Sequence, residues 1–250
     1  MEFSSKDKVA LITGASRGIG QAVAIGLAQA GADVVIASRK LPDLEKVAEE
    51  IKKTGRKCLP VAAHVGKMEE ISNLMKKVLE EFGKIDILVN NAATNPTMAS
   101  AMDVDERAWD SIMNLNLKGL FFLSQAVAKV MKEKGGGKII NVSSIGGITP
   151  DLLPVYCISK AAVIMATKVM AQQWAPYNIR VNAIAPGLTK TRFSEALWKN
   201  PDILKMAMSR TPLARPADPE EMVGAIIYLV SDASSYVTGQ VIAIDGGATI

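Results

Sequence analysis

The sequence predicts a doubly wound α/β fold, one seven-stranded parallel sheet with helices on both faces, and three observations lead to it. Short apolar runs alternate with longer stretches of helical periodicity along the whole chain. The apolar runs lack a polar residue at every second position, as expected of strands covered on both faces. The 250 residues are 49% hydrophobic and 22% charged, which suits one large core and leaves little room for a second domain.

The strands are read, in order, at Val9–Ile12, Val34–Ile36, Lys57–Ala62, Ile85–Val89, Lys138–Val142, Ile179–Ile184 and Val241–Ile244. Helical patterns with Glu and Lys on their polar faces occupy Leu44–Lys53 and Met68–Phe82, and more apolar ones run over Trp109–Val130 and Tyr156–Ala175. Gly135-Gly136-Gly137 is a turn before the fifth strand. The rhythm breaks once, between the sixth and seventh strands, where residues 188–219 carry Pro201, Pro212 and Pro216 and a helical piece. An insertion there overhangs the carboxyl ends of the strands, where such sheets bind ligands. The expected organisation is therefore one domain over residues 1–250 with a substrate-loop insertion at 188–219.

Several classes of function are disfavoured. The net charge of +4 and pI of about 9.0 are mild, and the basic residues are scattered beside Glu instead of forming a stripe, so no nucleic-acid partner is expected. Cys58 and Cys157 form no CxxC pair, and the single histidine, His64, has no metal-ligand neighbours, so neither a disulfide framework nor a metal site is expected. The polar start MEFSSKDK shows no signal-peptide pattern, and no run of about 18 apolar residues suggests a membrane span. Together with two unpaired thiols, these features point to the cytoplasm.

The first strand leads into Thr13-Gly14-Ala15-Ser16-Arg17-Gly18-Ile19-Gly20 and then a helix, the context that makes a glycine triplet meaningful. Gly14 permits the tight turn, Gly18 the close approach of a pyrophosphate, and Gly20 the packing of the new helix. The helix N-terminus offers free N–H groups and its positive dipole end. This is the signature of a Rossmann-type dinucleotide site. The second strand ends in Ala37-Ser38-Arg39-Lys40 with no carboxylate, where an NAD site usually has an acid for the ribose 2′-hydroxyl. Ser38 and Arg39, helped by Arg17, can instead bind a 2′-phosphate, so the expected cofactor is NADP(H), with NAD(H) the alternative.

Downstream come Asn90-Asn91-Ala92, Asn116 within Asn114–Gly119, Ser143-Ser144, Tyr156-x-x-x-Lys160 and Pro186-Gly187. Residues four apart on a helix share a face, about 5–6 Å apart at Cβ, so the Lys160 ammonium can favour the Tyr156 phenolate. A tyrosine so placed acts as general acid when a ketone is reduced and as general base when an alcohol is oxidised. An asparagine inside a helix is disfavoured unless it has a task, which draws attention to Asn116. In this order and over essentially the whole chain, the motifs resemble the single-domain short-chain dehydrogenase/reductase family. Several stretches, including His64–Lys67 and Asn91-Ala92-Ala93, look most like its dehydrogenase/reductase member 4-type NADPH-dependent carbonyl reductases.

The resemblance implies that Tyr156 carries the proton, that Lys160 lowers its pKa and holds the nicotinamide ribose, and that Asn116 orders a water beside Lys160. It implies that Ser144 binds the substrate oxygen. The spacing from Ser144 to Tyr156 is one residue shorter than the family's commonest and Ser143 would restore it, whereas Ile145-Gly146-Gly147 aligns Ser144. It further implies cofactor contacts from Ser16, Ile19, His64, Val65, Asn90 and Thr189. His64 replaces the usual Asp beside the adenine, and Ala93 stands where the family commonly has glycine. Thr94, Asn95, Pro96, Leu152, Leu153, Phe193, Leu197 and Trp198 are expected to form a mostly apolar pocket for a lipophilic or aromatic carbonyl. A homotetramer is expected by analogy. The alternatives are an NAD-dependent hydroxyacyl-thioester or alcohol dehydrogenase of the same family, or a catalytically silent nucleotide-binding subunit.

Overall fold

The computed structural model describes residues 3–250, so Met1 and Glu2 at the polar start lie outside the described residues. Seven parallel strands form one sheet in the order β3-β2-β1-β4-β5-β6-β7. They are β1 Val9–Thr13, β2 Asp33–Ser38, β3 Cys58–Ala62, β4 Ile87–Asn90, β5 Gly137–Val142, β6 Ile179–Pro186 and β7 Val241–Ile244. The central strands β1 and β4 are buried along their whole length, which is why their sequences read as unbroken apolar runs. The strand order turns back between β1 and β4, and the cleft opens at the carboxyl ends there.

Helices cover both faces. α1 (Gly18–Gln29), α2 (Leu41–Lys52) and α9 (Val223–Val230) pack on one, and α3 (Met68–Phe82), α5 (Leu120–Glu133) and α6 (Pro154–Trp174) on the other. Two apolar clusters result, one on each side of the sheet. Leu27, Ile36, Leu44 and Ile226 sit in the first, and Leu11, Leu74, Leu123 and Val163 in the second. α4 (Glu106–Met113) starts at Asp105, whose side chain accepts from the Ala108 N–H. Between β6 and β7 the chain forms α7 (Glu195–Trp198) and α8 (Pro201–Ser209), neither of which has a buried residue.

Two expectations need correction. The helix read continuously from Trp109 to Val130 is broken: residues 114–119 form a π-turn between α4 and α5. A wider turn has no apolar period of its own, so the pattern runs through it unmarked. The second correction concerns membrane-like stretches. Pro154–Tyr177 contains an 18-residue window with a mean hydropathy of 1.3 and is long and apolar enough to cross a membrane by composition. One face of α6 packs on the sheet through Val163, Met170 and Ala171, while Ile158, Met165 and Val169 are exposed on another. Two apolar faces on one helix raise its hydropathy although it is a core helix.

Candidate active site

A cleft of about 840 Å³ lies over the carboxyl ends of β1, β2, β4 and β5. Its inner wall is the glycine loop. Gly14 and Gly18 adopt φ of +65° and +57°, a region side chains resist. The Gly14 and Ala15 N–H groups donate to the Ala37 carbonyl, fastening the loop to β2. A Cβ at Gly20 would sit 2.5 Å from the Gly14 carbonyl and from the Asn91 amide, so this glycine seats the helix on the loop more than on the sheet. The first turn of α1 has no acidic residue and no capping side chain, leaving its N–H groups available to an anion. At the end of β2 the Ser38 hydroxyl is buried without a hydrogen-bond partner among the described residues, and Arg39 and Lys40 line the cleft beside it. An orphaned hydroxyl, two arginines and an uncapped helix suit a dinucleotide with an extra phosphate at this end.

Ser16, Arg17, Ile19, Ser38, Arg39, His64, Val65 and Thr189 all line the cleft. His64 Nδ1 accepts from the Gly66 N–H at 3.1 Å, and the His64 N–H donates to Glu70, so the loop after β3 is tied to α3. Asn90 departs from expectation. Its side chain turns into the core, donating to Ser124 at 2.8 Å and Asn141 at 2.9 Å, and Asn141 donates on to Thr167 of α6. The neighbouring Asn91 is the one at the cleft, donating to the Thr13 and Gly14 carbonyls at 2.9 and 3.2 Å. Successive strand residues point to opposite faces, a signal that separates the two asparagines.

At the other end, α6 brings Tyr156 and Lys160 to the cleft. Lys160 is 2% exposed, its ammonium donates to the Val142 carbonyl at 2.8 Å and lies 5.5 Å from the centre of the Tyr156 ring. Burial lowers the Lys160 pKa to about 8. Burial also raises the Tyr156 phenol above its ordinary range, and only the Ser144 hydroxyl pulls it down. The expectation that Lys160 depresses the Tyr156 pKa is thus not met by this arrangement, because desolvation outweighs an ammonium turned toward the β5 carbonyl. The two serines part company. Ser143 is buried and donates to the Lys160 carbonyl at 2.8 Å, whereas Ser144 caps a short turn, accepts from the Gly146 N–H and faces Tyr156.

Asn116 is buried in the π-turn. Its amide donates to the Thr94 carbonyl and Ser159 hydroxyl, both at 3.1 Å, and accepts from the Thr94 N–H at 2.8 Å. It joins the loop after β4 to the helix that carries Tyr156 and does not itself line the cleft.

The outer wall comes from the segment after β6. It is pinned by a bridge between Thr189 and Ala217 and by Ser194, whose hydroxyl bonds the Thr189 carbonyl and Thr191. Phe193 lies 5.7 Å from the Tyr156 ring. Thr94, Leu152, Leu153, Phe193 and Leu197 line the cleft as expected, and Asn95, Pro96 and Trp198 do not. Asn95 is turned onto the Thr97 carbonyl and the Trp198 indole onto the Thr191 carbonyl. Thr191, Arg192, Ile203, Met206, Ala207 and Arg210 also line it, and the sequence reading missed them. Their only signal was proximity to Phe193 and a short helical spacing in a proline-rich stretch.

Comparison with known proteins completes the picture. A family model described as enoyl-(acyl carrier protein) reductase matches residues 14–249. The chain is 42% identical over 250 residues to a 2-dehydro-3-deoxy-D-gluconate 5-dehydrogenase of Dickeya dadantii, covering 98% of this chain and 96% of that one. It is 40% identical over 243 residues to the dehydrogenase/reductase SDR family member 4 of Oryctolagus cuniculus, covering 97% and 94%. A gluconate 5-dehydrogenase from Burkholderia cenocepacia, solved with NADP and tartrate, superposes with a TM-score of 0.95 at 36% identity, covering 99% of this chain and 97% of that one.

Proposed function

The chain belongs to the short-chain dehydrogenase/reductase family, and we propose that it interconverts a ketone or aldehyde with the corresponding alcohol using NADP(H), with Tyr156 as its acid–base group. The observation that carries this reading is the meeting of Ser144 and Tyr156 on one cleft, with Lys160 buried beneath them. The two cofactor-facing features that favour NADP(H) are the unpartnered Ser38 hydroxyl and Arg39, with Arg17 across the glycine loop. When bound, the cofactor supplies or accepts the hydride.

The protein's own groups do the rest. Ser144 donates a hydrogen bond to the carbonyl oxygen and orients it toward Tyr156. In reduction the Tyr156 hydroxyl gives its proton to that oxygen, and in oxidation it takes the alcohol proton back. Lys160 steadies the phenolate left behind, a task for which its ammonium must leave the Val142 carbonyl and turn to the cofactor ribose and the phenol oxygen. Asn116 holds Thr94 against Ser159, and since its amide is committed to them, a water beside Lys160 would be ordered through the backbone of the π-turn. Gly14, Ser16, Gly18, Ile19 and Gly20 serve the pyrophosphate end, His64 and Val65 the adenine end, and Thr189 the nicotinamide end, while Asn90 acts from the core.

Residues 188–219 form the substrate loop of a single domain. Leu152, Leu153, Phe193 and Leu197 favour a substrate with an apolar body, as in a lipophilic or aromatic carbonyl. The enzyme acts as a homotetramer in the cytoplasm. The exposed apolar residues Trp109, Phe122, Ile158, Met165 and Val169 on α4, α5 and α6 support association, and the free thiols Cys58 and Cys157 suit a reducing compartment. A panel of aromatic, aliphatic and sugar-acid carbonyls, assayed with NADPH and with NADH by loss of reduced-nicotinamide absorbance, tests the reading. Turnover of at least one ketone or aldehyde, with the higher kcat/KM for NADPH, is expected. Turnover of none defeats it, and a preference for NADH removes the phosphate part.

A further inference from the structure

Two arginines on the outer wall are left unused by the function proposed above, on which this inference rests. α8 turns Ile203, Met206, Ala207 and, at its C-terminal end, Arg210 toward the cleft. That spacing of i, i+3, i+4 and i+7 places all four on one helix face, three apolar residues followed by a cation. Arg192 lines the same region and precedes Phe193, whose ring packs beside Tyr156. Three other arginines are occupied: Arg56 holds Asp33, Arg215 holds Glu221, and Arg180 donates to the Val237 and Ser231 carbonyls. Arg192 and Arg210 make no ion pair and no side-chain hydrogen bond among the described residues. Glu195 lies within the field of Arg192 but is itself paired with Lys199. The one carboxylate lining this end is Asp151, whose Oδ1 accepts from the Leu152 N–H. Of the remaining cleft cations, Arg17, Arg39 and Lys40 sit at the glycine loop and the end of β2, where the cofactor phosphates are placed, and the Lys160 ammonium donates to the Val142 carbonyl.

We propose that Arg192 and Arg210 form a carboxylate subsite, so that the substrate is an oxo acid: its carbonyl at Ser144 and Tyr156, its apolar middle against Phe193 and α8, and its carboxylate at the outer end of the cleft. A guanidinium presents paired N–H donors that match a carboxylate, and both arginines are exposed enough to reach one without leaving an ion pair. A neutral carbonyl compound fills the apolar middle and gains nothing from either cation.

The test uses phenyl ketones bearing a terminal carboxylate on linkers of two, three or four carbons, each compared with its methyl ester and assayed with NADPH. A charge-assisted hydrogen bond gained by the acid alone predicts that at least one linker gives a kcat/KM roughly 10- to 100-fold above that of its ester, carried by KM. Arg210→Met and Arg192→Met should each collapse that ratio toward one. Equal kcat/KM for acid and ester at every linker length, or a ratio that survives both substitutions, overturns the subsite. So does an Arg192→Met enzyme whose KM rises for NADPH and not for the acid, since Arg192 then serves the cofactor. Calorimetric titration of each acid and ester into the protein separates this inference from the reaction itself. Acid binding weakened by Arg210→Met supports the subsite even where no ketone is reduced, and indistinguishable binding of acid and ester overturns it even where ketones are reduced.

Discussion

The glycine-loop wall of the cleft is fastened to buried strands, while the facing wall from Thr189 to Arg210 is held by one short backbone bridge and a few side chains. On the first, the Gly14 and Ala15 N–H groups bond the Ala37 carbonyl, the Asn91 amide spans Thr13 and Gly14, and the strands beneath are buried throughout. On the second, one isolated bridge and the Ser194 hydroxyl hold a segment whose two helices bury no residue. Local opening costs least where few buried contacts resist it. The contrast teaches a division of labour: the wall that must position a cofactor and a proton is rigid, and the wall that must admit a substrate is loosely moored.

If the rigid side carries the chemistry, its substitutions should change rate or cofactor choice, and those of the moored side should change substrate choice. The largest effect is expected of Tyr156→Phe, which removes the proton donor. kcat should fall about a thousandfold, within the usual contribution of general acid–base catalysis, while NADPH binding measured by fluorescence stays within about threefold of wild type. Retained turnover would show that another group supplies the proton.

Next in size is a stability effect of Lys160. Its pKa in the fold, about 8, lies below the ordinary lysine value of 10.5. The unfolded chain therefore binds more protons than the fold between about pH 8 and 10.5, and stability rises with pH across that window. Below it the full cost of the buried ammonium is present, about 3 kcal/mol at one pKa unit per 1.36 kcal/mol. Above pH 10 the raised phenol of Tyr156 acts the other way, because the unfolded chain ionises first. Urea denaturation at pH 7.5 and 9.5 should show the rise in wild type and a smaller one in Lys160→Met. Equal slopes in the two proteins would mean that the ammonium is hydrated.

Arg39→Asp should lower the NADPH-to-NADH ratio of kcat/KM roughly a hundredfold, as a charge-assisted contact is replaced by repulsion of the 2′-phosphate. An unchanged ratio would leave Ser38 without its proposed ligand. Smallest is Phe193→Ala on the moored wall. Loss of the contact with the Tyr156 ring should raise KM for aromatic ketones about tenfold and alter kcat little, which corresponds to about 1.4 kcal/mol, the scale of one aromatic pair. A large fall in kcat would instead mean that Phe193 helps to hold Tyr156.

The legibility of the molecule follows the same divide. Strands such as Val9–Thr13 and Ile179–Pro186 could be read because burial on both faces demands uninterrupted apolar residues. The glycine loop could be read because its φ values select glycine. The π-turn could not, since the amphipathic pattern on either side of Asn116 continues through it. The register of Ser143 and Ser144 was open by spacing alone, and the Ile145-Gly146-Gly147 stretch pointed to Ser144, the serine that faces Tyr156 while Ser143 bonds the Lys160 carbonyl. Asn90 was expected at the cofactor and turns into the core, because a side chain's face at a strand end depends on where the strand stops. Arg192 and Arg210 were invisible because an exposed arginine in a loop reads as a solvated surface until the fold folds it back over a cleft.

One approach between the two walls bears on how the protein can be re-engineered. A Cβ at Gly18 would lie 3.0 Å from the Thr191 methyl, so the outer wall rests directly on the phosphate turn. Thr191 therefore abuts the glycine loop although it belongs to the outer wall, whereas its neighbour Phe193 packs beside Tyr156. A cassette swap intended to graft a new specificity should keep residues 189–191 and exchange residues from Arg192 to Arg210 around a retained Ser194, because a donor residue at 191 would alter the contact with the glycine loop together with the pocket.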